Sequence, residues 1–371
     1  MMKQNAIIYQ IFPRNHSKEG TFKAIELDLP RIKREVQADI IYLMPINEIG
    51  VLNRKGTYGS PYASKDYFSI SNDLGTLEDL KSLINKTHEL GMDIILDMVF
   101  NHTSPDNVLL NEHEDYYFHR NGRLGNRVGD WTDIIDLDTN KKETQDYLIS
   151  VLKYWVSVGF DGFRFDVASM IPLSFFIRAR KELGDDIIFI GESISNEFRD
   201  YLRSIGEIVT DDKDMYPTFD ALYNYNYFRA LTNYMKGKGE LRPVIDELNK
   251  DKDNLRLLCI ENHDNDRVAS FTNEDRLEEY LNFLSFVKGN LFIYAGQEYG
   301  NKHKPELFEK DPVDFNNRNE KITKLYQKMI NDKRKQKEII DISYEYKEGN
   351  LVTVTVKYID SSIETKTFNL N

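Results

Sequence analysis

Short apolar runs recur along this chain, and four of them end in ionisable side chains: Asp97-Met-Val-Phe-Asn-His102, Gly162-Phe-Arg-Phe-Asp-Val167, Ile188-Phe-Ile-Gly-Glu192 and Ile260-Glu-Asn-His-Asp264. Eight runs in all read as strands, over residues 6–12, 39–45, 93–100, 162–167, 187–191, 218–222, 257–260 and 291–294. Between and after them lie helix-sized stretches at 21–36, 77–90, 142–158, 173–183, 196–205, 226–236, 275–288 and 322–333. Thr76 with Asp79 three residues on signals a capped start for the second of these, and Gly91 a stop. Strands separated by helices run parallel, and their C-terminal ends open onto one face. The expected fold class is therefore α/β, a (β/α)8 TIM barrel built from residues 1–100 and 139–335.

Two stretches break the alternation. Residues 101–138, rich in His, Asn, Asp, Gly and aromatics without a sustained helical period, read as a short inserted subdomain after strand 3. Residues 336–371 switch to a period of two, as in Leu351-Val-Thr-Val-Thr-Val-Lys-Tyr358 after the turn Gly349-Asn350, and predict a small C-terminal antiparallel β module.

With 371 residues there is enough chain for such a barrel and a modest appendage. Acidic side chains outnumber basic ones 61 to 49, a net charge of −12 that disfavours nucleic acid as a partner and suits a neutral substrate. The single cysteine, Cys259, cannot form an internal disulfide and reads as a small core residue, which allows a reducing compartment. The start of the chain lacks the pattern of a signal peptide or membrane span, so the expectation is a cytoplasmic protein with no membrane partner. Oligomeric state is left open.

Acids at the ends of parallel strands meet in space, which makes them candidates for acetal chemistry. Cleaving a glycosidic bond requires one neutral carboxyl to protonate the leaving oxygen and one ionised carboxyl to stabilise the sugar carbon. Asp166, two residues from Arg164 on one strand, is the natural anion, because a fixed guanidinium lowers its pKa. Glu192 has no cationic neighbour on its own strand and is the natural acid. Asp264 is a third acid able to grip sugar hydroxyls more strongly as the ring flattens.

In type and order these motifs resemble glycoside hydrolase family 13, the α-amylase family, over roughly residues 6–300. The resemblance implies Asp166 as nucleophile, Glu192 as general acid/base and Asp264 as transition-state stabiliser, with His102 and His263 on the sugar, Arg164 beside the nucleophile and Tyr62 stacked under the reacting ring. Ala295-Gly-Gln-Glu298 is similar to the family too. It also implies Asn101, with Asp136 as a second oxygen donor, as calcium ligands; but Val167-Ala-Ser-Met170 stands where many calcium-dependent members carry Lys-His, and two oxygens fall short of the six to eight calcium takes. A structural calcium is thus in doubt, and the chemistry itself needs no cofactor.

The implied activity is retaining hydrolysis of α-1,4 bonds in maltodextrins or short α-glucans, with α-1,6 cleavage, transglycosylation or a non-catalytic sugar-binding relative as alternatives. His113 and His119 lack a third ligand for zinc. A metal-dependent isomerase built on His102 and His263 ranks last. Trp131 reads equally as an outer sugar contact or an anchor of the insert, and Lys333-Arg-Lys335 as a basic end to a helix dipole.

Overall fold

The computed structural model describes residues 2–129 and 131–371. Strands β1 (Ile7–Ile11), β2 (Ile40–Leu43), β3 (Asp93–Met98), β4 (Gly162–Phe165), β5 (Ile188–Gly191), β6 (Ala221–Leu222), β7 (Leu257–Leu258) and β8 (Asn290–Tyr294) form one sheet, ordered β6-β5-β4-β3-β2-β1-β8-β7. Every pairing is parallel, and a bridge from Leu222 to Arg256 joins the two ends into a near-closed barrel. Alternate side chains divide between two cores, as the period of a strand requires. Ile8, Ile40, Ile95 and Ile190 fill the inside of the ring, while Ile7, Ile41, Leu96 and Phe163 pack outward under the helices.

The surrounding helices are α1 (Phe22–Glu35), α2 (Leu77–Glu89), α3 (Lys142–Val158), α4 (Leu173–Leu183), α5 (Asn196–Ser204), α6 (Tyr225–Met235), α7 (Arg242–Lys250), α8 (Glu274–Phe286) and α9 (Glu320–Lys335). The capping box on α2 is present, with Thr76 N donating to Asp79 Oδ2 at 2.9 Å and Asp79 N to Thr76 Oγ1 at 3.2 Å. Gly91 takes φ +66°, the left-handed conformation that a helix stop requires. Helix α7 was not expected. Pro243 looks like a breaker in the text but lies in the first turn, where no N–H is needed.

Residues 101–138 carry a short helix, Val108–Glu112, and two-residue ladders pairing His102 with Asp136 and His119 with Leu124. The chain ends in an antiparallel sheet of β9 (Ile339–Lys347), β10 (Leu351–Tyr358) and β11 (Ile363–Asn369). Tyr344 and Phe368 of this sheet pack on Phe283 of α8. Lys333, expected only as part of a basic end to the helix dipole, is fully buried and donates to the Val287 carbonyl, with burial lowering its pKa to about 7.

Candidate active site

The inner face of the ring turns polar toward the C-terminal ends of the strands. Gln10 follows Ile8 by two residues, Tyr42 follows Ile40, Asp97 follows Ile95 and Glu192 follows Ile190, so all four side chains continue the inward-facing rows. Parallel register sets Arg164 beside Asp97, and Phe165 beside Gly191. Asp166 and Glu192 therefore leave neighbouring strands at the same height, about 5 Å apart by strand spacing.

One guanidinium organises them. Arg164 Nη1 donates to Asp97 Oδ1 at 2.8 Å and to Asp166 Oδ1 at 2.9 Å, while Nη2 lies 2.8 Å from Glu192 Oε2 without a hydrogen-bond alignment. Glu192 has no cation on its own strand, as expected, but meets Arg164 of the adjacent one. One expectation is corrected: Arg164 does not hold the Asp166 pKa low, because burial outweighs the guanidinium and the Asp97 charge adds to it, so Asp166 is raised. Glu192 is raised further, by burial first and then, against Arg164, by the charges of Asp166 and Asp264. The expected order of the two acids is kept: burial raises both, and Asp166 alone has the aligned hydrogen bond from Arg164.

Val167, directly after Asp166, takes φ +37° and ψ +44°, a strained backbone for a β-branched residue. In that conformation its N–H donates to Glu192 Oε2 at 2.8 Å.

A second network orders His263 and Tyr62. Gln10 Nε2 donates to His263 Nδ1 at 2.9 Å, which leaves the hydrogen on Nε2 to reach Tyr62 Oη at 2.7 Å. Tyr62 Oη in turn donates to Asp97 Oδ2 at 2.9 Å, an oxygen that Tyr42 also reaches at 2.6 Å. The Tyr62 ring stacks on His263, centroids 5.3 Å apart and 15° from parallel. Burial lowers the pKa of His263 and of His102, so both imidazoles are neutral near pH 7.

These groups converge on a cavity of about 320 Å³ lined by Tyr62, His102, Asp166, Glu192, His263 and Asp264. Asp264 is the most open of the three acids, its side chain 43% exposed. Trp131 also lines the cavity, 5.6 Å from the His102 ring and 6.4 Å from Phe198, which stacks with the exposed Tyr201. Arg164 lies beneath this lining, fully buried, and acts on the cavity through the carboxyls it holds. Gln10, Tyr42, Lys55, Leu307 and Phe308 were not singled out in the sequence. One Gln or Tyr in a strand, or a Lys or Phe in a loop, carries no signal without the register that brings it here.

Asn101 and Asp136 lie outside the cavity and do not fit calcium. The amide nitrogen of Asn101, not its oxygen, faces Asp136, and Asp136 Oδ2 is occupied by Arg127 through its backbone N–H at 2.8 Å and Nη1 at 3.1 Å. Among the described residues no group of three or more His, Cys, Asp or Glu is arranged to hold a metal ion. His113 stacks on Tyr116 and His119 faces Glu114, as ordinary loop residues do.

The chain is similar to an α-amylase from Lactobacillus plantarum, whose crystal structure superposes with a TM-score of 0.91 at 37% identity over 99% of this chain and 89% of that one. It is 25% identical to an α-glucosidase of Pediococcus pentosaceus over 80% of this chain and 66% of that protein. It is 24% identical to an oligo-1,6-glucosidase of Bacillus cereus over 80% of this chain and 65% of that protein. The chain thus spans just under two thirds of the length of these two curated relatives. The family model of the α-amylase catalytic domain matches residues 10–340, nearly the whole barrel with its site, and the chain accordingly belongs to the α-amylase family.

Proposed function

We propose that this protein is a retaining α-glucoside hydrolase acting on α-1,4 bonds of maltodextrins or short α-glucans. The observation that carries the reading is Arg164 in contact with the carboxyls of both Asp166 and Glu192 on adjacent strands while hydrogen-bonding only Asp166. Retention requires two carboxyls about 5 Å apart, one ionised and one protonated. Asp166 attacks the anomeric carbon as Glu192 gives its proton to the leaving oxygen, which produces a glucosyl ester on Asp166. Glu192, now ionised, takes a proton from water as the water oxygen attacks the same carbon, and Asp166 leaves as carboxylate.

Asp264, on the open side of the cavity, binds sugar hydroxyls; His102, His263 and Tyr62 frame the reacting ring. The leaving sugar lies on the side of the acid, where Trp131, Phe198 and Tyr201 offer aromatic faces. The net charge of −12 suits a neutral glucan. Among the described residues no helix is long and apolar enough to cross a membrane, and the single, fully buried Cys259 accords with a cytoplasmic setting.

Product analysis on maltoheptaose, isomaltose and sucrose tests the reading. Release from maltoheptaose with α-configured first products is expected, and no release would overturn the α-1,4 assignment; release from isomaltose alone would move the protein to α-1,6 cleavage. Asp166→Asn is expected to lower kcat by about 10⁴-fold or more. Activity near wild type in that variant would remove Asp166 from the nucleophile's role.

A further inference from the structure

A carboxylate as deeply buried as Asp136, with none of its surface exposed, needs a compensating cation or a full set of hydrogen bonds. The family resemblance offered calcium as that cation, with Asn101 as a further ligand, and left it in doubt. In the structure the position belongs to Arg127. Its backbone N–H and Nη1 meet Asp136 Oδ2 at 2.8 and 3.1 Å, Nη1 also reaches the Leu137 carbonyl at 3.2 Å, and Nε lies 3.0 Å from Glu207 Oε2. The Phe118 ring sits 4.4 Å from the guanidinium carbon and covers it. The oxygens a divalent ion would collect here, two carboxylates and a carbonyl, are thus gathered by one fork that joins the insert to the segment between α5 and β6.

The network continues toward the cavity. Asn101 Nδ2 faces Asp136 Oδ1 at 3.5 Å and His102 Nδ1 at 3.1 Å. Asn101 turned the other way, as a metal ligand, would present its oxygen to the seam and its Nδ2 hydrogens elsewhere, leaving His102 Nδ1 without this donor. With its amide held by Asp136, Asn101 fixes the His102 tautomer with the hydrogen on Nε2.

We infer that Arg127 is this chain's built-in replacement for calcium at the seam between insert and barrel, and a positioning residue that fixes His102 through Asp136 and Asn101. A metal would have to displace a guanidinium that already satisfies the carboxylates, so the wild type gains nothing from calcium.

Two arms test this. In the first, melting of the wild-type protein is followed with calcium chloride and with EDTA. A calcium site filled to a hundred times its dissociation constant would raise Tm by about 3–4 °C, whereas no shift in either direction is expected. A rise with calcium, or a fall with EDTA, overturns the proposal. In the second, Arg127→Ala and Arg127→Lys are assayed on maltoheptaose well below their melting temperatures. The alanine variant is expected to lose about ten- to a hundredfold in kcat with a smaller change in KM, and lysine to restore part of it. A purely structural strap would lower Tm and leave kcat at the wild-type value, and that result overturns the positioning role. Should the alanine variant fail to fold, the lysine variant decides, since it keeps the charge without the fork: wild-type kcat and Tm in it overturn the proposal. The kinetic arm rests on His102 meeting the sugar; the melting arm reads no activity, so failure of the proposed function is told apart from failure of this inference.

Discussion

Arg164 touches Asp97, Asp166 and Glu192 at once, so a single buried positive charge faces three buried acids that cannot all be ionised cheaply. The proton that restores the balance settles on Glu192, because Asp166 receives an aligned hydrogen bond from Arg164 and Glu192 does not. The pH dependence follows with its sign. In the proposed mechanism Asp166, raised to about 6, must be ionised to attack, so kcat/KM is expected to fall below that value. Glu192, raised to about 8, must in the same mechanism be protonated to release the leaving group, so the rate is expected to fall again above it. A pH profile measured on maltoheptaose should be a bell between these limits, and Glu192→Gln should lose the alkaline limb.

Stability carries the same signature. Both groups have folded pKa values above their unfolded ones, so between the ordinary carboxylate range and about pH 8 the native state holds protons that the unfolded chain has released. Unfolding free energy contributed by the pair is full at acid pH and is lost as pH rises through that window. Urea titrations at several pH values should show a slope that Glu192→Gln flattens. At this scale the meeting of Asp166, Glu192 and Asp264 at one cavity was legible from the acids that end their strands; Gln10 and Arg127 were not, because their partners lie 253 and 9 positions away.

Among elements, the capped helices were read most directly, since a cap is a contact between near neighbours in sequence. Thr76→Ala removes the box on α2 and should cost about 1 kcal/mol, seen as a fall of about 1–2 °C in Tm with kcat unchanged, because the residue lies outside the cavity. Helix α9 shows the limit of such reading. Three basic residues at its end read as a complement to the helix dipole, but Lys333 lies on the face of Ile322, Tyr326, Met329 and Ile330 that packs inward. Burial lowers the Lys333 pKa to about 7, so its folded form binds fewer protons than the unfolded chain, and the penalty grows as pH falls from the ordinary lysine range toward 7. Lys333→Met should therefore raise Tm by roughly 2–4 °C near pH 7 and by less near pH 10. An equal gain at both values would place the effect in packing alone.

For the molecule as a whole, the near-closed ring and the C-terminal sheet share one continuous core. Phe368 lies 5.4 Å from Phe283 and 5.7 Å from Phe286, joining β11 to α8. Phe368→Ala should cost about 3 kcal/mol by the cavity it leaves, with a single unfolding transition retained and kcat unchanged. A separate early transition would mean that the sheet folds on its own. By itself the sequence determined the alternation of strands and helices, the place of the insert and the terminal sheet, and the acids at the strand ends, because these follow from periodicity and from residues next to one another in the chain. Tertiary structure alone decided the strand register that sets Glu192 beside Asp166, the burial that raises both acids, and the guanidinium that takes the place expected of a metal. Each of those is a long-range contact whose free energy depends on what water has been excluded, and no local pattern encodes that.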